Sequence, residues 1–405
     1  MVLTRWALVA VTAASTPALA QAQQTAEPAQ ASTRQAAIEQ QEAAKVPDLH
    51  PPVPNKGEKV FDKLETVLQG GRLRWHPFFE NAYSGGGFTL GAGYLEYIGA
   101  YNTIDVRGSF TFKGYKRVEA EYLAPRLLGR QATLSIIGGW REATQVGYYG
   151  LGNHTTADAR ANYAFQQPYL ATTFTVRPAD RIVVLRAGFE TSQWLQDPGS
   201  GDVPSVEQIY TPATLPGLGT SVIYLHSQGT VGIDSRASPG YSRRGGFYGV
   251  SFHDFTDPHH RYGFTQVDYE ALQHVPILRE TWVLSFRGLL STTQTKSDEV
   301  IPFYMLPAIG GGSSLRGYSS WRFRDRNSLK LQAEWRVMVN RFLDMAVFYD
   351  AGKVAADTGD LNLSDLRSDF GLGFRFHGPL STPLRIDVAH SDEGFRIVWA
   401  ASAVF

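Results

Sequence analysis

From Arg72 to the C-terminus the chain is written in segments of about 9–14 residues in which apolar side chains alternate with polar or small ones, the pattern of strands with two unlike faces. A tilted membrane strand needs roughly 9–11 residues. The segments begin near Arg72, Gly86, Asn102, Tyr115, Gln131, Ala161, Arg181 and Gly219. They continue from Tyr241, His260, Leu278, Asn327, Phe342, Leu366, Leu384 and Phe395. Sixteen is an even number, as in single-chain bacterial barrels. The expectation is an all-β, sixteen-stranded antiparallel transmembrane β-barrel over residues 71–405.

The faces agree with this. Leu329, Leu331, Ala333, Trp335, Val337 and Val339 alternate with Lys330, Gln332, Glu334 and Arg336. A charge at a lipid-facing midplane costs about 2–4 kcal/mol, so the charged face must line the lumen. Trp75, Tyr94, Tyr97, Trp140, Trp282 and Trp399 stand near segment ends, where interfacial aromatics belong. Short turns such as Asn340–Arg341 alternate with long connections such as Leu195 to Leu218 and Thr292 to Arg326. That alternation sorts the long connections onto one end, the external one if the N-terminus is periplasmic.

Ahead of the barrel, Arg5, the apolar run Trp6–Ala14 and Ala18–Leu19–Ala20 read as a cleaved signal peptide over residues 1–20. Residues 21–70 are rich in Ala, Gln, Glu and Pro, a low-complexity periplasmic tail with room for one short helix from Val60 to Leu68. The tail is the natural docking segment for a periplasmic partner. The formal net charge is zero, so nothing calls for nucleic acid. Cysteine is absent, which excludes thiol catalysis, disulfides and Cys-based zinc sites. No Gly-x-Ser-x-Gly elbow, phosphate loop or dinucleotide fingerprint occurs. The reading is therefore not an enzyme, with no cofactor and no metal. His253–Asp254 and Asp257–Pro258–His259–His260 are read as a solvated external loop rather than a metal site. Ser251 with His253 is the only nearby hydrolytic pair, and it is unconvincing.

The chemistry concentrates in Gly310–Gly311–Gly312–Ser313–Ser314–Leu315–Arg316–Gly317–Tyr318. Its glycines permit conformations closed to other residues, and one arginine stands among them. Ile309–Gly310–Gly311 through Leu315–Arg316–Gly317–Tyr318, with Tyr304 and Pro307 ahead, is similar to the lid-loop motif of the bacterial surface antigen superfamily. That superfamily contains the outer-membrane protein assembly factors and the two-partner secretion transporters. Ala346 to Val354, Asp369 to Phe376 and Leu384 to Ala389 also resemble its motifs, in family order, over residues 300–405.

The resemblance implies an inward-folded lid whose arginine, Arg316, contacts acids on the inner wall; the matching residues are Glu334 and Asp350. Both fall on lumen faces by alternation. Gly371 and Gly373 share such a face, and the expectation is either that they admit the lid backbone or that they mark a kink at a barrel corner. The terminal Phe405 resembles a barrel-assembly signal. Assembly factors also carry periplasmic substrate-binding repeats, and the stretch from Gln21 to Arg72 is too short to hold one, so the chain resembles members reduced to the barrel.

The expected function is insertion or transport of macromolecules at the outer membrane, through a seam between the first strand, near Arg72 to Ala82, and the last, Phe395 to Phe405. Outer-membrane lipid and outer-membrane or secreted proteins are the expected partners. The alternative is a passive outer-membrane channel or surface antigen.

Overall fold

The computed structural model describes residues 73–178, 182–401 and 403. The signal peptide, the whole tail at 21–70 with its expected short helix, and Phe405 lie outside the described residues. The wall begins with β1 (Trp75–Pro77), β2 (Thr89–Ile98), β3 (Asn102–Thr111), β4 (Lys116–Leu127), β5 (Ala132–Tyr148) and β6 (Ala161–Val176). It continues as β7 (Val183–Pro198), β8 (Ser221–Asp234), β9 (Gly245–Thr256), β10 (Phe264–Ile277) and β11 (Trp282–Thr295). A small ribbon, β12 (Ala308–Ile309) with β13 (Phe323–Arg324), lies inside the next connection. The wall resumes with β14 (Asn327–Asn340), β15 (Leu343–Ala355), β16 (Arg367–Phe376), β17 (Leu384–Ser391) and β18 (Gly394–Ala400).

All strands but the ribbon form one sixteen-stranded antiparallel sheet in chain order. All sixteen of its strands begin within about four residues of the positions that alternation marks. Only two-residue periodicity with one face excluded from lipid specifies register this tightly.

The two faces are chemically distinct. Trp335, Val347, Tyr349 and Phe370 point outward and are 39–58% exposed, the apolar band a bilayer would cover. Lys330, Gln332, Glu334 and Arg336 alternate with them on the inner face. No ladder pairs β1 with β18 among the described residues. The sheet nevertheless curls into a barrel, because two consecutive residues of one loop touch both of its ends. Ser319 Oγ accepts a hydrogen bond from Arg396 on β18 at 3.1 Å, and Ser320 Oγ accepts one from Ser84, shortly after β1, at 3.2 Å.

The connections after β5, β7, β11 and β15 are long and share one end. Two departures occur. The last hairpin on that end, between β17 and β18, is tight. On the opposite end, the connection from Ser235 to Arg244 is long and folds into the barrel mouth. There Tyr241 stacks on His377 with ring centres 3.8 Å apart and donates to Asp344 at 2.8 Å. Arg243 reaches the same carboxylate at 3.4 Å. Loop length alone does not show this, since the loop is drawn inward by partners on β15 and in the β16–β17 turn.

At the long-loop end the lumen is packed. Tyr148, Tyr163, Phe165, Trp194 and Tyr224 from the wall surround Phe303, Tyr304 and Leu306 of the connection between β11 and β14. Short helix α1 (Val206–Ile209) adds Val206 to the same cluster.

Candidate functional site: a buried lid beside an open seam

The connection from Lys296 to Arg326 dives into the barrel. After Phe303 and Tyr304 anchor it, the β12–β13 ribbon presents residues 310–322 as a compact loop. Gly310 and Gly311 have φ of 114° and 92°, conformations that a side chain makes costly. Their amides donate to Ser314 Oγ at 2.7 Å and to the Leu315 carbonyl at 2.9 Å. Ile309, Leu315, Tyr318 and Phe323 close over Val354 of β15. The loop is thus rigid before any charge is counted.

Arg316 is at its centre, fully buried at 0% exposure. Its Nε and Nη2 donate to the two oxygens of Asp350 at 2.6 and 2.8 Å, and Nη1 donates to Glu334 at 2.9 Å. The guanidinium also lies 3.4 Å from the ring centre of Phe348, whose negative π face adds to the attraction. Asp350 and Glu334 are therefore both brought to Arg316. The fork geometry uses three N–H groups in two directions, which a lysine ammonium cannot copy.

The wall extends the site beyond those residues. Arg375 on β16 donates to both oxygens of Glu334 at 3.0 and 2.6 Å and to Asp387 of β17 at 2.6 Å. Arg385 lies 3.2 Å from Asp387 and donates to the Gly312 carbonyl at 2.7 Å. Gln332 donates to the Ser314 carbonyl at 2.9 Å, and Ser391 to the Gly317 carbonyl at 3.0 Å. Asp369 faces Asp350 directly across the β15–β16 ladder. Three guanidiniums thus interleave with four carboxylates. Glu334, Asp350 and Asp387 each meet a guanidinium, the condition under which burial is tolerable, whereas Asp369 faces a like charge.

Phe348, Arg375, Arg385, Asp387 and Gln332 were not singled out from sequence. Alternation was the available signal for Phe348, Gln332 and Arg375, each an even number of residues from a marked position on its strand; β17 carried no marked residue, so Arg385 and Asp387 had none.

Gly371 and Gly373 do lie on the lumen face, but their neighbours differ from the expectation. A Cβ on Gly371 would sit 2.5 Å from Phe348 Cζ, and one on Gly373 would strike the Arg375–Asp387 pair. Gly371 makes room for the β17 backbone at Val388 and for Phe348, and Gly373 for the Arg375–Asp387 pair, rather than for the lid backbone. The backbone approach is instead at Gly317, whose Cβ would fall 2.6 Å from Asp369 Cβ.

The lid also spans the seam. Ser319 and Arg322 reach β18 and the turn before it, with Arg322 2.6 Å from Glu393. Ser320 and Trp321 reach the other border. Trp321 stacks on Tyr83 with ring centres 4.5 Å apart and donates to the Ser84 carbonyl at 2.9 Å. The first border is not the full strand expected from Arg72 to Ala82. β1 has three ladder residues, followed by one more backbone bond, from the Phe78 amide to the Gly91 carbonyl at 2.9 Å.

Other candidates resolve differently. His253 is on the lumen face of β9, 3.0 Å from His226, not in an external loop. Ser251 pairs with Thr230 at 2.9 Å rather than with a histidine. Among the described residues no cluster of three or more His, Cys, Asp or Glu could hold a metal. Beside the lid, away from Arg316, a cavity of about 400 Å³ is lined by Arg141, Glu190, Trp194, Asp268 and Lys330 among others, so the lid fills only part of the lumen.

Known proteins share this architecture. A solved BamA from Haemophilus ducreyi, lacking POTRA domains 1–3, superposes with a TM-score of 0.58 at 14% identity, over 82% of this chain and 70% of that one. CdiB from Escherichia coli superposes with a TM-score of 0.53 at 11% identity, over 81% of this chain and 59% of that one. No curated protein sequence matches the chain. At such identities the superpositions speak for the fold alone. The sequence itself matches the Omp85 superfamily domain over residues 97–394, from β2 through the lid to the last hairpin; the chain belongs to the Omp85 superfamily.

Proposed function

We propose that this protein inserts or translocates polypeptide segments at the bacterial outer membrane, by parting the seam between β1 and β18 when the lid shifts. The observation that carries this reading is the lid tetrapeptide Ser319–Arg322, which touches both borders of an unladdered seam. Unmade backbone bonds are costly in lipid, so a seam closed by side chains of a movable loop is the cheapest place in such a wall to open. In this reading residues 1–20 direct export, the tail at 21–70 meets a periplasmic partner, and the Arg316–Glu334–Asp350 contact is the lid's anchor.

The test uses the absence of cysteine. Ser84→Cys with Ser320→Cys, whose native hydroxyls are 3.2 Å apart, places a reducible tie between lid and seam. Oxidised protein in vesicles should fail to promote insertion of an unfolded outer-membrane barrel, and reduction should restore it. Insertion that is equal in both redox states overturns the gating reading; a tie that alters only ion conductance supports a passive channel instead.

A further inference from the structure

β1 is short, yet the chain beyond it stays against the wall. β2 offers ten residues but its inner face is bare at Gly91 and Gly93. A Cβ on Gly93 would lie 2.6 Å from His76 Nε2, and one on Gly91 2.5 Å from the Phe78 carbonyl oxygen. These glycines form a seat, and the first segment lies in it.

Every second residue from His76 reaches across β2 to the strands beyond. His76 Nε2 is 3.0 Å from Asp105 on β3. Phe78, 7% exposed, lies beneath the guanidiniums of Arg107 and Arg117, 5.2 and 5.7 Å from its ring centre. The Glu80 carbonyl accepts from Ser109 at 2.7 Å, and its carboxylate from Arg117 at 3.1 Å. The receiving groups are themselves fixed. Arg107 bonds Asp105 at 3.2 Å, Glu121 at 3.0 Å and also Glu119, while Arg117 bonds Glu119 at 2.7 Å.

We infer that His76, Phe78 and Glu80, seated on Gly91 and Gly93 and gripped by Asp105, Arg107 and Arg117, form a lumenal side-chain rail that positions the first seam border. Side-chain contacts facing a wet lumen can exchange for water, whereas a full ladder in lipid cannot. The border is therefore positioned firmly yet detachable as one unit. The connection of this rail to insertion rests on the function proposed above; its existence does not.

Hydrogen exchange read by mass spectrometry on the folded full chain in lipid nanodiscs tests it. Asp105→Asn, which keeps the shape of the side chain, and His76→Ala should each speed exchange of the amides in 74–81 about tenfold, the effect of one charge-assisted contact. The double variant should be no faster than the faster single one, since both remove the same contact. Gly93→Ala, which evicts His76, should match them, and peptides from β14 and β15 should stay at the wild-type rate. Unchanged exchange at 74–81 in Asp105→Asn, or equal acceleration across the whole barrel, overturns the rail. Insertion assayed on the same variants separates the two ideas: accelerated exchange at 74–81 with unaltered insertion keeps the rail and counts against its role in the proposed function.

Discussion

Arg316→Ala is the sharpest perturbation of the lid. The loss does not fall evenly on its two partners. Glu334 keeps both bonds from Arg375. Asp350 loses both guanidinium bonds, retains Gln332 at 3.3 Å and the backbone amide of residue 316 at 3.4 Å, and still faces Asp369 across the ladder. The variant thus strands one buried carboxylate beside another. Removing one partner of a buried pair costs about 3–5 kcal/mol, and about 1.4 kcal/mol corresponds to tenfold. The equilibrium between undocked and docked lid should therefore rise by roughly two to three and a half powers of ten.

Chymotrypsin is the suitable probe, because Tyr318 and Trp321 lie in the lid and neither is altered. Cleavage of the detergent-folded barrel in this loop should accelerate at least a hundredfold in Arg316→Ala. Arg316→Met combined with Asp350→Asn should recover part of the protection, since position 350 no longer carries an unpaired charge beside Asp369. Cleavage of Arg316→Ala within about twofold of wild type, with unchanged heat-dependent gel mobility, would refute the assignment of Arg316 as the anchor.

Further outcomes follow from the same contacts. Arg316→Lys should give intermediate cleavage, because one ammonium cannot bond Asp350 twice and also reach Glu334. Gly371→Ala should lower the temperature at which the barrel loses its compact gel mobility, by overpacking worth about 1–3 kcal/mol against the Val388 carbonyl and Phe348. Tyr241→Phe should expose the loop at 235–244 to protease, since Asp344 loses a buried donor worth about 1–3 kcal/mol. Val347→Arg should reduce the folded fraction in bilayers by about 2–4 kcal/mol if β15 faces lipid at mid-depth, and an equal folded fraction would contradict the outward assignment of that face.

The wall was legible from sequence because a strand's faces repeat every two residues and lipid penalises errors on one of them. That logic located β14 and β15 and put Glu334 and Asp350 on the same inner surface. It failed at β1, where the ladder to β2 stops after Phe78 and the following residues keep alternating without it. It also failed at His253, where alternation carries the strand farther than the polar texture suggests. For Gly371 and Gly373, the face was readable but the neighbours were not, since those come from β15 and β17.

Sequence by itself determined the number and order of the wall strands, the inner and outer faces, and the loop that carries Arg316. All of these are local periodicities or turn chemistry. Only the tertiary structure decided how the three guanidiniums and four carboxylates interleave, that Phe348 lies under Arg316, and that residues 319–322 hold both borders of the seam. Those facts depend on the curl and register of sixteen strands, which bring together residues hundreds of positions apart, such as Ser84 and Ser320, and no local pattern records that closure.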